Sequence, residues 1–187
     1  MIDDEKLRAD ARENRDHILE VARNALAVDS KVSLNAIAKA AGVGAGTLYR
    51  HFPSRGALVL GVYRKEIDEL AALAPLLLAQ HLPLQAFRMW CDRLATFGRM
   101  KHEVADILHA AKSDQDVQET YWPVLGAVRQ LMEACEASGE IRRGVDAEDF
   151  LLLLGFLWQI PPTPTGEARV KRLVALIFRG LGARDGE

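Results

Sequence analysis

Residues 33–58 read SLNAIAKAAGVGAGTLYRHFPSRGAL, and this stretch decides the fold. Ser33 can cap a helix by accepting a hydrogen bond from a free backbone N–H one turn in. Leu34, Ile37, Ala38 and Ala41 then recur at helical spacing and form one apolar face. Gly42 follows where the chain must turn, since glycine takes a positive φ without steric penalty. Val43 is placed to plug the corner, and Leu48 and Phe52 to return to the same small core. Ala38 is small where the two helices should cross. Pro53 ends the second helix by pushing its predecessor out of the α region, and Ser54 can cap a third. The layout is a helix, a glycine turn and a second helix of the kind that lies in the major groove of DNA.

The run AGVGAGTLYRHFPSRGAL, residues 41–58, closely resembles the DNA-binding signature of the tetracycline-repressor (TetR) family. The match is carried by the Gly42-Val43 corner, by Thr47-Leu48-Tyr49, and by Phe52-Pro53 followed by basic Arg55. With the preceding helix it covers residues 12–65, about a third of the chain. The rest is similar to the family only in length and helical character. The resemblance implies an all-α protein with a three-helix DNA-binding domain over residues 1–53. A C-terminal helical bundle for effector binding and dimerisation would follow over 54–187, its connecting helix beginning at residue 54. It also implies a ligand-responsive repressor that leaves a pseudo-palindromic operator when a small, mostly apolar molecule binds.

On the reading head, the resemblance assigns Ala45, Gly46, Thr47, Tyr49, Arg50 and His51 to the groove-facing side of the second helix. Arg50 is the expected base reader, because its fork can bond O6 and N7 of guanine bidentately. Thr47 can meet a thymine methyl or a phosphate. Tyr49 and His51 are expected on phosphates, which set register rather than sequence. The backbone N–H groups near Ser33 and Ser54 suit phosphate oxygens, and Arg55 stands where the family often has a phosphate-binding lysine. Gly44, Ala45 and Gly46 offer almost no side chain, so readout must lean on Arg50, Thr47 and DNA shape.

Charge supports this division. The 187-residue chain carries a formal net charge of −2, unpromising for a DNA binder until it is split. Residues 1–65 hold 11 Lys and Arg against 8 Asp and Glu, a net of +3, whereas residues 66–187 hold 13 against 18, a net of −5. The basic charge sits where the motif sits.

Outside the motif the sequence predicts a charged, unstructured arm over residues 1–11. A first helix follows, carrying Ile18, Val21, Ala22, Ala25 and Leu26 and ending near Asp29. A connecting helix is expected from Ser54 to Pro75, and further helices near 84–100, 102–113, 115–138, 147–160 and 166–182. Asp146 is a plausible N-cap. The last two helices are unusually apolar: FLLLLGFLW is hydrophobic all round, and the final helix carries a stripe. They are expected to pair with a second copy as a four-helix bundle through Phe150, Leu154, Leu157, Val170, Val174, Ile177, Phe178 and Leu181. Dimerisation is also what the head requires, because one recognition helix reads few bases.

An effector pocket is located only vaguely. Phe87, Trp90, Phe97, Met100, Tyr121, Trp122, Leu125, Met132, Phe156 and Trp158 supply aromatic and soft walls, with Lys101, His102, Asp106 and Gln159 as polar anchors. His102, Asp106 and His109 share one side of a helix at metal-compatible spacing, but the opposite side is apolar, so they are expected in water and no metal is assigned. Cys91 and Cys135 are expected as reduced core thiols. There is no P-loop, G-x-S-x-G or HExxH motif and no cofactor signature, so an enzyme is not expected. No apolar run is long enough to span a bilayer, and a cytoplasmic protein is expected. Two other readings fit less of the chain: a constitutive DNA binder without effector, and a helical small-molecule binder whose head has lost DNA affinity.

Overall fold

The structure, a computed structural model, describes residues 2–29, 31–103, 114–161 and 163–182, without the side chains of 2–8, 97–103, 114–118 and 158. The described residues contain helices and no strand. The chain forms two compact units, the first running to Lys65 and the second beginning at Glu66, with Glu103 falling to the first.

In the first unit, α1 (Ile2–Val28) packs on α2 (Leu34–Ala40), and α2 on α3 (Ala45–His51). Ile18, Leu19, Ala22 and Leu26 of α1, Ile37 and Ala38 of α2, and Leu48 and Phe52 around α3 are all buried. Each large apolar side chain among them contributes about 1.5–3 kcal/mol relative to exposure. Leu58, Val59 and Val62 of α4 (Arg55–Leu78) are buried as well. A Cβ on Gly61 would meet Leu19 and Phe52 at 3.0 Å, so this turn of α4 lies close against the head. That packing explains why the unit runs through Lys65, beyond the residue 53 limit drawn from the motif.

Two expectations change here. Residues 2–11 are helical, and α1 begins at Ile2 rather than near Ile18. Their Glu, Lys, Leu, Arg and Ala residues favour helix, and the early acids suit its positive end, with no need for an apolar stripe. Pro75 does not stop α4 but sits inside it. Its missing N–H removes one bond near the helix end, while its carbonyl still accepts from the Ala79 N–H at 3.1 Å.

The second unit holds the end of α4, then α5 (Pro83–Glu103), α6 (Asp114–Ala137), α7 (Ala147–Leu153) and α8 (Pro164–Gly180). Its core is keyed by one phenylalanine from each of three helices. Phe87 meets Phe150 at 4.9 Å and Phe178 at 5.1 Å between ring centroids, and Phe150 and Phe178 lie 6.3 Å apart. Two polar contacts tie α5 to α4: buried Trp90 donates from Nε1 to the Leu70 carbonyl at 2.8 Å, and Arg93 pairs with Glu66 at 2.9 Å. Cys91 and Cys135 are buried free thiols.

The helix expected over 147–160 is α only to Leu153 and continues as 3₁₀ from Leu154 to Gln159. Gly155 weakens the α-helix, and Pro161 forces Ile160 into extended backbone, so the last turns tighten. Asp146 caps α7, accepting from the Glu148 and Asp149 N–H groups at 2.6 and 3.4 Å. The helix expected over 102–113 lies outside the described residues beyond Glu103. No described helix is long and apolar enough to cross a membrane.

Candidate nucleic-acid interface

The turn between α2 and α3 is built from backbone hydrogen bonds that the sequence allows. Ser33 Oγ accepts from the Ala36 N–H at 3.2 Å and starts α2. At its other end Gly42, at φ +67°, donates to Lys39 O at 3.2 Å, and Val43 donates to Ala38 O at 3.0 Å. This pair of bonds is a Schellman closure, which favours glycine at the left-handed position. Gly44 then caps α3 without a side-chain bond.

Leu48 and Phe52 anchor α3 from behind, and its other side is open. Ala45, Gly46, Tyr49 (44% exposed) and Arg50 are exposed, with Thr47 and His51 half-buried beside them. Arg50 donates from Nε to Gly46 O and from Nη2 to Thr47 Oγ1, each at 3.2 Å, so the expected base reader is docked along its own helix. Both partners lie one turn back on the same helix, at i−3 and i−4.

Arg55 also braces the head from within. Its part-buried guanidinium donates to the Val32 carbonyl and so pins the segment ahead of α2. Ser54 Oγ accepts from the Ala57 N–H at 3.1 Å and caps α4. Arg15 lies over the Phe52 ring, 5.4 Å from its centroid. Lys39 stands exposed in the last turn of α2, a cation beside the glycine turn.

Among the described residues, the side chains offered as effector walls differ in their surroundings. Phe87, Trp90, Leu125 and Met132 are packed core, and Trp90 spends its indole N–H on Leu70. Trp122 is 52% exposed and meets only Tyr121 edge-on among described rings, while Phe156 is half-buried. Gln159 is exposed. The side chains of Phe97, Met100, Lys101, His102 and Trp158, and residues Asp106 and His109, lie outside the description. Among the described residues no group of His, Cys, Asp and Glu could hold a metal.

The pairing residues named for the last two helices also fall differently. Phe150, Leu154, Leu157, Val174, Phe178 and Leu181 are already buried within the single chain, which leaves a second copy little of them to cover. Val170 and Ile177 are half-buried. The apolar residues that these helices leave open are Leu152 (79% exposed), Leu153 (58%) and Leu176 (57%). At 100° per residue, Leu176 points about 160° away from Val174 and Phe178, which face the core.

Comparison with known proteins bears on both units. Residues 18–62 match the model of bacterial regulatory proteins of the tetR family, and residues 82–183 match the C-terminal domain of SbtR-like transcriptional regulators. A TetR transcriptional regulator from Streptomyces coelicolor is 35% identical with a TM-score of 0.76, over 89% of this chain and 97% of that one. A TetR regulatory protein from Mycobacterium vanbaalenii is 30% identical with a TM-score of 0.72, over 94% and 98%. An HTH-type transcriptional regulator of Staphylococcus aureus is 41% identical over 64 residues, 33% of this chain. That match spans 35% of the Staphylococcus protein's length, about a third.

Proposed function

The chain belongs to the TetR family of bacterial transcriptional regulators, and we propose that it is a ligand-responsive repressor acting as a two-fold dimer on a pseudo-palindromic operator. The observation that carries this reading is the open face of α3. A helix fixed from behind by Leu48 and Phe52 presents Ala45, Gly46, Tyr49 and Arg50 outward, with Thr47 beside them. Such a surface has no role in the chain's own core and fits a major groove.

A dimer supports the head, since two recognition helices on half-sites one helical turn apart supply affinity that one cannot. Leu152, Leu153 and Leu176 are the surface proposed for the second copy. Release requires an effector that binds one conformer of the dimer better than the other. Helix α4 contributes to both units and is the route by which a change in one can reach the other. A regulator of bacterial DNA works in the cytoplasm, and the family consists of regulators rather than enzymes.

The test is selection of genomic fragments by the purified protein at about 150 mM salt, where non-specific phosphate binding is suppressed. Enrichment of one pseudo-palindrome is expected. Binding that shows no sequence preference and vanishes as salt rises would refute a specific regulator.

A further inference from the structure

A groove of about 290 Å³ lies within the second unit, between α5, the 3₁₀ turn and the start of α8. Its volume sits at the low end of the roughly 300–1,000 Å³ usual for small-molecule pockets. None of the aromatic walls named from the sequence is among its described lining residues. We propose that this groove is the effector site and that it takes a small organic monocation, an amine on a compact apolar body. This inference rests on the chain being a ligand-responsive regulator, and names the site and ligand class of that response.

The chemistry follows from what faces the groove. Leu157, Ile160 and Val170 give it an apolar floor that would hold the body of a ligand. Asp92, Glu167 and Lys171 stand around it, a formal charge of −1. Among the described residues the Asp92 carboxylate makes no hydrogen bond and no ion pair, although Thr96, one turn on, donates to the Asp92 backbone carbonyl at 3.1 Å. An exposed carboxylate beside an apolar floor favours an ammonium group over an alcohol, and an alcohol over a carboxylate. The groove's end depends on Gly166, where a Cβ would come within 2.0 Å of the Pro161 carbonyl oxygen, so only glycine permits this close turn.

The groove is also placed to be heard. Asp92, Ala95 and Thr96 occupy one side of α5, and Arg93 and Trp90 lie about 100–160° around the same helix. Those two residues hold α4 through Glu66 and Leu70. A ligand that shifts α5 therefore acts on the helix shared by both units.

The experiment is calorimetric titration of the purified protein, without DNA, with three probes of matched shape: 2-phenylethylammonium, 2-phenylethanol and phenylacetate. Saturable binding is expected, with the ammonium roughly three- to fivefold tighter than the alcohol, as suits an exposed charge pair, and phenylacetate weakest. Asp92→Asn should remove the margin between ammonium and alcohol and leave alcohol binding intact. Ala95→Trp should fill the groove and abolish binding of all three. Asp92 is exposed, so Asp92→Asn keeps the test open if Ala95→Trp does not fold. The ammonium should then loosen the wild-type protein from its operator and leave the folded Ala95→Trp variant bound. No saturable binding, an unchanged margin in Asp92→Asn, or binding without operator release would each overturn the inference. A selected operator alongside such a failure would leave the regulator standing, whereas no operator would sink the regulator itself.

Discussion

At the scale of single residues, the head sets foldability against contact. Nothing within the chain requires glycine at position 46: a Cβ there meets no atom within 4 Å, and its φ is not positive. Gly46→Ala should therefore stabilise the protein, by up to about 1 kcal/mol, since alanine is the better helix former. If the start of α3 approaches DNA closely, the same change should weaken operator binding on the order of tenfold, about 1.4 kcal/mol. Thermal melting and fluorescence anisotropy on the operator read the two effects separately, and unchanged affinity would remove the close approach. Arg50→Ala should relax preference at one base pair per half-site, costing about 1–3 kcal/mol. Uniform loss on every sequence would make Arg50 a phosphate contact. The exposed positions of α3 were legible from the motif, because apolar Leu48 and Phe52 fix which side is inward. The docking of Arg50 on Thr47 and the grip of Arg55 on Val32 were not, since side-chain rotamers answer to local geometry that residue types do not specify.

At the scale of elements, α5 is tied to α4 by a contact that hydropathy patterns cannot reveal. Glu66 is 3% exposed, an acid in a stretch of α4 otherwise filled by Ile67 and Leu70. Its pairing with Arg93 compensates the carboxylate. Arg93→Ala should destabilise the protein by roughly 1–3 kcal/mol, because it strips a partner from a buried charge. The double variant with Glu66→Gln should recover part of that loss, and denaturant midpoints at pH 7 provide the comparison. Equal midpoints for wild type and Arg93→Ala would mean the pair contributes nothing. Helix positions such as 83–103 and 164–180 were close to expectation because periodicity and caps such as Thr163 mark them. The failures have common physics. Proline was read as a stop at Pro75, yet α4 accommodates its ring and missing N–H and runs on to Leu78. Apolarity was read as an interface in α7 and α8, yet the stripe of Val174 and Phe178 first serves the chain's own core.

At the scale of the whole molecule, that distinction changes which variant tests assembly. Phe178→Asp would place a charge inside the phenylalanine cluster and unfold the protein, so it says nothing about a dimer. Leu176→Glu lies on the outward side of α8 and should give folded monomers by light scattering, with weakened operator binding; a dimer at micromolar protein would refute this surface. The core makes its own prediction through pH. Burial pushes the Cys91 thiol well above its ordinary value of 9.0, helped by neighbouring Asp92 and Cys135, and burial aided by Glu140 pushes Cys135 up to about 12. Burial likewise pushes Tyr63 from 10.0 to about 12. In each case the folded state holds its proton more tightly than the unfolded chain. The stability this confers is therefore complete below about pH 9, and is lost as pH rises from there towards 12. Urea midpoints should hold level near pH 8 and fall steadily above pH 9, with a shallower fall in Cys135→Ala. Both thiols should also resist alkylation at pH 8 until the chain unfolds, since the reactive thiolate is suppressed and buried. A midpoint that stays flat to pH 11, or prompt labelling of the native protein, would show that these groups are open to water and that the core around Phe87, Phe150 and Phe178 is looser than its packing implies.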